Sequence, residues 1–210
     1  MKKNFLWMLA AILLCGTMTT VFTACGSDDD DNGSSSATAN TYEVTLSALL
    51  PRCSAPYMKL QLKYTDADGK SQTVTVQKSD QSQTLGEAAT IIYKNLTSGY
   101  RGNPDYVKIL DDLIVRNFTM RVPAGKTFSY EGTIEARTDY TAPESKVSVV
   151  QPCVISTAKR ISGNSDDRSE LATNGKLSIL CSFGIDADQF ATILSRWNGR
   201  DIGSGTVTMK

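Results

Sequence analysis

The chain has 210 residues, with 22 basic and 22 acidic side chains and no histidine. The missing histidine excludes Ser-His-Asp and Cys-His catalysis, His-ligated zinc and the usual near-neutral pH switch. Balanced, dispersed charge leaves no footprint for nucleic acid.

In chain order, Lys2 and Lys3 precede residues 5–14 (FLWMLAAILL), an uncharged decamer. It is as long as a signal-peptide core and well short of the ~20 residues that span a bilayer as a helix. Small and polar residues follow, closing on VFTACG at 21–26. Ala24 before Cys25 and Gly26 after it resemble the lipobox of bacterial lipoproteins, with Phe22 where leucine is usual. The resemblance implies cleavage before Cys25, diacylglycerol on its sulfur and acylation of the new amino group. One acyl chain, at about 0.8 kcal/mol per buried CH₂, holds a protein only marginally, whereas two or more anchor it stably. In residues 27–36 (SDDDDNGSSS) four adjacent carboxylates repel one another and the Gly/Ser run has no side chains to bury, which predicts an extended tether. A lipidated cysteine followed closely by an acidic run is similar to the surface-export signal of Bacteroidetes-type lipoproteins. That similarity implies the outer face of the outer membrane. The expected organisation is a signal peptide over 1–24, a lipidated cysteine and tether over 25–40, and one domain over 41–210. About 170 residues suffice for one ordinary core.

Residues 42–50 alternate, with Tyr42, Val44, Leu46, Ala48 and Leu50 on one face and Glu43, Thr45 and Ser47 on the other. Met58, Leu60, Leu62 and Tyr64 alternate with lysine and glutamine, Asp66 to Gly69 turn the chain, and residues 73–77 return it, a β-hairpin pattern. Residues 84–94, with Ile91, Ile92 and Tyr93, predict another strand. Over 103–114, Asn103 and Pro104 can start a short helix with Tyr106, Ile109, Leu110 and Leu113 at helical spacing. The same stretch also suits strands joined at Asp111-Asp112; the helical pattern is the stronger. Strands follow over 115–122, 128–137 and 146–158, the last with Pro152 marking an edge, bulge or break. A polar loop over 162–175 leads to a strand over 176–183. Phe190, Ile193, Leu194 and Trp197 predict a helix capped by Asp186 or Asp188 and ended near Gly199. Residues 206–209 suggest a last edge strand. Short strands with little helix between them predict a mainly β fold, an antiparallel β-sandwich (immunoglobulin-like or transthyretin-like), with an open barrel as the alternative.

Cys15 leaves with the signal and Cys25 takes lipid, so Cys53, Cys153 and Cys181 remain. Cys153 and Cys181 read either as small buried hydrophobes or as a disulfide between neighbouring strands. Glu131 and Glu135 share a strand face about 13 Å apart, too far for a glycosidase pair, and read as a solvated face. Tyr100, Arg101, Asn103 and Tyr106 gather aromatic and hydrogen-bonding groups in one predicted loop, a candidate ligand-binding site. No metal or cofactor set is legible. The expectation is therefore a non-enzymatic, lipid-anchored surface module for a glycan, peptide or partner subunit. The alternative is a structural or assembly component of a surface fibre or outer-membrane complex, and a carboxylate-dependent hydrolase is the weakest reading.

Overall fold

The structure, a computed structural model, describes residues 40–66, 68–161 and 177–209. The signal, Cys25, the acidic tether and the loop at 162–175 lie outside the described residues.

The chain begins with β1 (Thr41–Pro51), then the hairpin β2 (Met58–Thr65) and β3 (Ser71–Val76). Helices α1 (Glu87–Leu96) and α2 (Pro104–Asp111) follow, separated by a 3-10 turn at Ser98–Tyr100. Next come β4 (Leu113–Pro123), β5 (Thr127–Ala136), β6 (Val147–Val150), β7 (Cys153–Arg160) and β8 (Cys181–Ile185). Helix α3 (Ala187–Trp197) and β9 (Asp201–Thr208) complete the described fold. Three antiparallel sheets result, ordered β4-β1-β7, β3-β2-β5-β9 and β6-β8. The fold is mostly β and sandwich-like, as expected.

The hairpin turn is built by Asp66, whose Oδ1 accepts from the backbone N–H of Lys70 (2.8 Å) and of Asp68 (3.0 Å). Those donors, Lys70 first, hold the Asp66 carboxyl below the usual carboxylate range. The Asp/Gly group is turn chemistry, as the sequence suggested.

The two larger sheets share one core. Val44, Leu46, Ala48 and Leu50 of β1 meet Leu60 and Leu62 of β2, Phe128 and Ile134 of β5, and Ile202 and Val207 of β9. Helix α3 adds Phe190, Leu194 and Trp197 to that cluster. Phe190 packs edge-on against Tyr57 at 4.5 Å between centroids, with Tyr140 5.8 Å from both rings. Tyr130 of β5 is buried here, and burial pushes its phenol up to about 12. Its hydroxyl and Ser156 Oγ are the two buried polar side-chain atoms among the described residues without a well-formed partner. They lie near enough for the serine to offset a little of the phenol's shift.

A second cluster lies on the other face of β1 and β7. Leu49, Cys153 and Ile155 meet Ala89 and Tyr93 of α1, Leu110 of α2, Val150 of β6 and Ile179. The Tyr93 hydroxyl donates to the Leu110 carbonyl at 2.9 Å, joining the two helices, and burial raises its pKa. Because helices cover this face, β1 is buried on both sides beyond Leu46; Ser47, expected among the polar face, is 1% exposed.

Several expectations change. Residues 84–94 are not a strand: Ala89, Tyr93 and Leu96 recur at four and three residues, and α1 lays that stripe on β7. The β-branched run Ile91-Ile92 suits a strand in isolation, but packing overrides such a preference. Two helices, α1 and α2, therefore stand before β4 where at most one was expected. Of the two readings left open for Cys153 and Cys181, the structure has the small apolar side chains rather than the bridge; Cys53, Cys153 and Cys181 are free thiols. The chain breaks between β6 and β7 at Gln151-Pro152, so Cys153 faces Leu49 of β1 while Cys181 faces Val150 of β6. The strand expected over 146–158 is thus two strands in different sheets. Cys153 is fully enclosed and burial raises its pKa, while that of Cys181 is pushed up to about 12. Both behave as small apolar side chains.

Other elements follow the sequence closely. Asn103 caps α2 by accepting from Asp105 N at 2.9 Å, with Pro104 in the first turn. Gly199 takes φ +74° after α3, and Trp197 is buried. The strand expected over 176–183 forms later, at Cys181–Ile185. Residue 151 prepares it: Gln151 N donates to Leu180 O and its Oε1 accepts from Leu180 N.

Candidate functional site

The outward faces of β2, β3, β5 and β9 carry polar side chains because their alternate positions fill the core. Register aligns them: Lys63 lies between Thr73 and Glu131, and Glu131 is opposite Ser204. Thr65 is opposite Ser71, and Ser129 opposite Thr206. These residues and Asp201 line an open trough of about 550 Å³ across all four strands. Tyr64 and Tyr130 border it, but Tyr130 is buried and Tyr64 packs towards Phe118 at 6.0 Å, so no ring platform covers its floor.

The trough is partly pre-arranged. Thr65 Oγ1 and Ser129 Oγ are 3.1 Å apart, joining β2 to β5. Asp201 accepts from Gly203 N at 2.9 Å and from Ser204 Oγ at 2.7 Å, which fixes its carboxylate at the start of β9. Glu135, further along β5, is held by Lys59 at 3.9 Å and by Gln61. Glu131 and Glu135 thus belong to separate polar groupings. Lys63 can donate, Glu131 and Asp201 can accept, and the hydroxyls can do either. The arrangement suits recognition through many hydrogen bonds. Among the described residues no group of three or more cysteine or acidic side chains is placed to hold a metal.

The predicted loop has a different character. Tyr106 stacks on Phe183 of β8 at 3.8 Å between centroids, and Tyr100 meets the same ring edge-on at 5.9 Å. Arg101 Nε donates to Thr97 Oγ1 at 2.8 Å, and its two terminal nitrogens to the Asp111 carboxylate at 3.2 and 2.7 Å. Asn103 is the α2 cap. The structure places all four residues near the junction of α1, α2 and β8, where the two tyrosines contact Phe183, Arg101 clamps Asp111 and Asn103 caps α2. Asp112, next to Asp111, pairs with Arg52 at 3.1 Å. Asp166-Asp167 lie outside the described residues.

The trough itself went unnoticed in the sequence. Its only signal there is the polar half of four alternating patterns, which looks like any solvated sheet face. That β9 lies beside β5, some 70 residues earlier, has no local signature.

No protein-family model, no curated protein and no solved structure matches the chain. Fold and site therefore define a class only: a mostly β, antiparallel domain with helices over one sheet and a polar trough on the other.

Proposed function

We propose that the chain is an exported lipoprotein, held by acyl chains on Cys25 at the outer membrane and facing the cell exterior. Its β domain acts there as a non-enzymatic binding module. The anchoring rests on the decamer ending at VFTACG and the acidic run behind it. The binding role rests on the trough across β2, β3, β5 and β9, whose size falls among small-ligand sites of roughly 300–1,000 Å³. Its chemistry favours a hydrogen-bonding ligand, an extended peptide or a hydroxyl-rich glycan bound without ring stacking. Among the described residues the exposed large apolar side chains are Ile91 and Ile161, neither on this face. The assembly reading has its own support in β3, which has β2 as its one strand neighbour among the described residues.

Two measurements test the proposal. Cys25→Ala is expected to move the protein from the membrane fraction and remove incorporated palmitate; unchanged retention and label would end the anchoring claim. For the trough, isothermal titration with soluble surface glycans and peptides is expected to give binding that Lys63→Ala weakens about tenfold, as loss of a charged hydrogen bond does. Binding that survives Lys63→Ala and Glu131→Ala unchanged would place the ligand elsewhere.

A further inference from the structure

The hydrogen-bond phase of the β2–β3 hairpin determines which way each main-chain group of β3 points. Asp66 N donates to Lys70 O at 2.9 Å, so this pair is bonded across the hairpin. Bonded and non-bonded pairs alternate in an antiparallel ladder. Gln72, Val74 and Val76 therefore bond to β2, and Ser71, Thr73 and Thr75 aim their N–H and C=O groups away from it. The far side of the sheet obeys the same phase, since Ile134 of β5 bonds outward to Arg200 O and Gly199 N.

We propose that β3 is a dimer interface, pairing antiparallel with β3 of a second copy about a two-fold axis at Thr73. Three observations carry it. The outward row consists of three N–H and three C=O groups at alternate residues, which an extended strand satisfies completely. In the register centred on Thr73, Ser71 meets Thr75 of the second copy and Thr75 meets Ser71 of the second copy. Every outward group then finds its complement in about six hydrogen bonds. The edge also lacks the usual guards: between Lys70 and Lys78 the sequence SQTVTVQ has no charge and no proline. Third, the ends are complementary in charge. The same register brings the exposed Asp68 at one end beside Lys78 of the second copy, and symmetry repeats the pair at the other end. Such an interface is isologous and closes at two copies. It joins the two four-stranded sheets into one continuous sheet and sets their troughs on a common face. The inference goes beyond the proposed ligand binding and does not depend on it.

The test is the mass of the full chain in a density-matched neutral detergent, by sedimentation equilibrium. The expected result is two copies per particle, dissociating on dilution. Thr73→Pro removes an outward donor without touching the bonds to β2, and is expected to give single copies that melt cooperatively at the temperature of the diluted, dissociated parent chain. Asp68→Lys and Lys78→Asp are each expected to weaken the dimer about tenfold, because attraction at both ends becomes repulsion, and the double exchange to restore it. These turn substitutions carry the test should the proline variant unfold. Single copies of the unaltered chain at about 100 μM would overturn the proposal. So would a dimer indifferent to Thr73→Pro, or a double exchange weaker than either single change.

Discussion

Gly203→Ala is expected to lower stability by about 3–5 kcal/mol, a large part of the roughly 5–15 kcal/mol that holds a domain together. Two causes add. Gly203 takes φ +141°, a conformation that side chains rarely adopt, and a Cβ there would stand 2.5 Å from the Val154 carbonyl oxygen. This is where β7 of one sheet crosses β9 of the other. Gly132 on β5 meets the same residue differently: its Cβ would lie 2.5 Å from Val154 Cγ2, a side-chain atom. The β5–β9 register shifts between Gly132 and Thr133, so this close approach to β7 coincides with a bulge. Gly132→Ala should cost about 2–3 kcal/mol by overpacking. Trimming Val154 to alanine separates the two. In urea-unfolding double-mutant cycles, Val154→Ala is expected to recover much of the Gly132→Ala loss and little of the Gly203→Ala loss, because the second clash is with backbone. Equal recovery at both positions would show that the strand crossing is not as described.

Ser54→Ala should be nearly as damaging, by about 2–4 kcal/mol, although it removes a single oxygen. Ser54 is fully buried in the turn after β1, and its Oγ donates to Val150 O at 2.7 Å and accepts from Val150 N at 2.8 Å. One hydroxyl thus satisfies both main-chain groups of a β6 residue 96 positions away. Alanine would leave a buried N–H and a buried C=O without partners, each costing about 1–3 kcal/mol. Ser47 offers the contrast. It is equally buried, but its hydroxyl bonds only the Asn117 side chain, at 2.8 Å. Ser47→Ala should cost about 1 kcal/mol. Amide exchange at Val150 should accelerate in Ser54→Ala and not in Ser47→Ala; similar protection in both variants would defeat the explanation.

Both effects depend on contacts that the sequence does not advertise. Ser54 lies between β1 and β2, and nothing beside it in the sequence names Val150 as its partner. A glycine within a strand such as Gly132 can signal a bulge without naming what approaches it, and Gly203 lies outside the strand expected over 206–209. The candidate site shares this limit. Strands β2, β3 and β5 were legible as alternating or returning segments and only the last residues of β9 were, so Asp201 and Ser204 fell in no expected strand; the trough exists only once β2, β3, β5 and β9 lie side by side. Conversely, Tyr100, Arg101, Asn103 and Tyr106 stood out by composition. In the fold they stack on Phe183, clamp Asp111 and cap α2, internal tasks set by elements distant in sequence.

Local chemistry was therefore sufficient wherever neighbours in sequence decide the outcome. The period-two strands, the Asp66 turn, the Asn103-Pro104 helix start and the amphipathic α3 all belong to this group. Packing decided the rest. Helix α1 forms because β7 presents an apolar face for Ala89 and Tyr93, against the strand preference of Ile91-Ile92. Cys153 and Cys181 part because Pro152 hands the chain from one sheet to another. The outward groups of β3 become an interface only through the phase of its hairpin. Long-range contacts of this kind arise from burial summed over many residues, and no short window of sequence carries that sum.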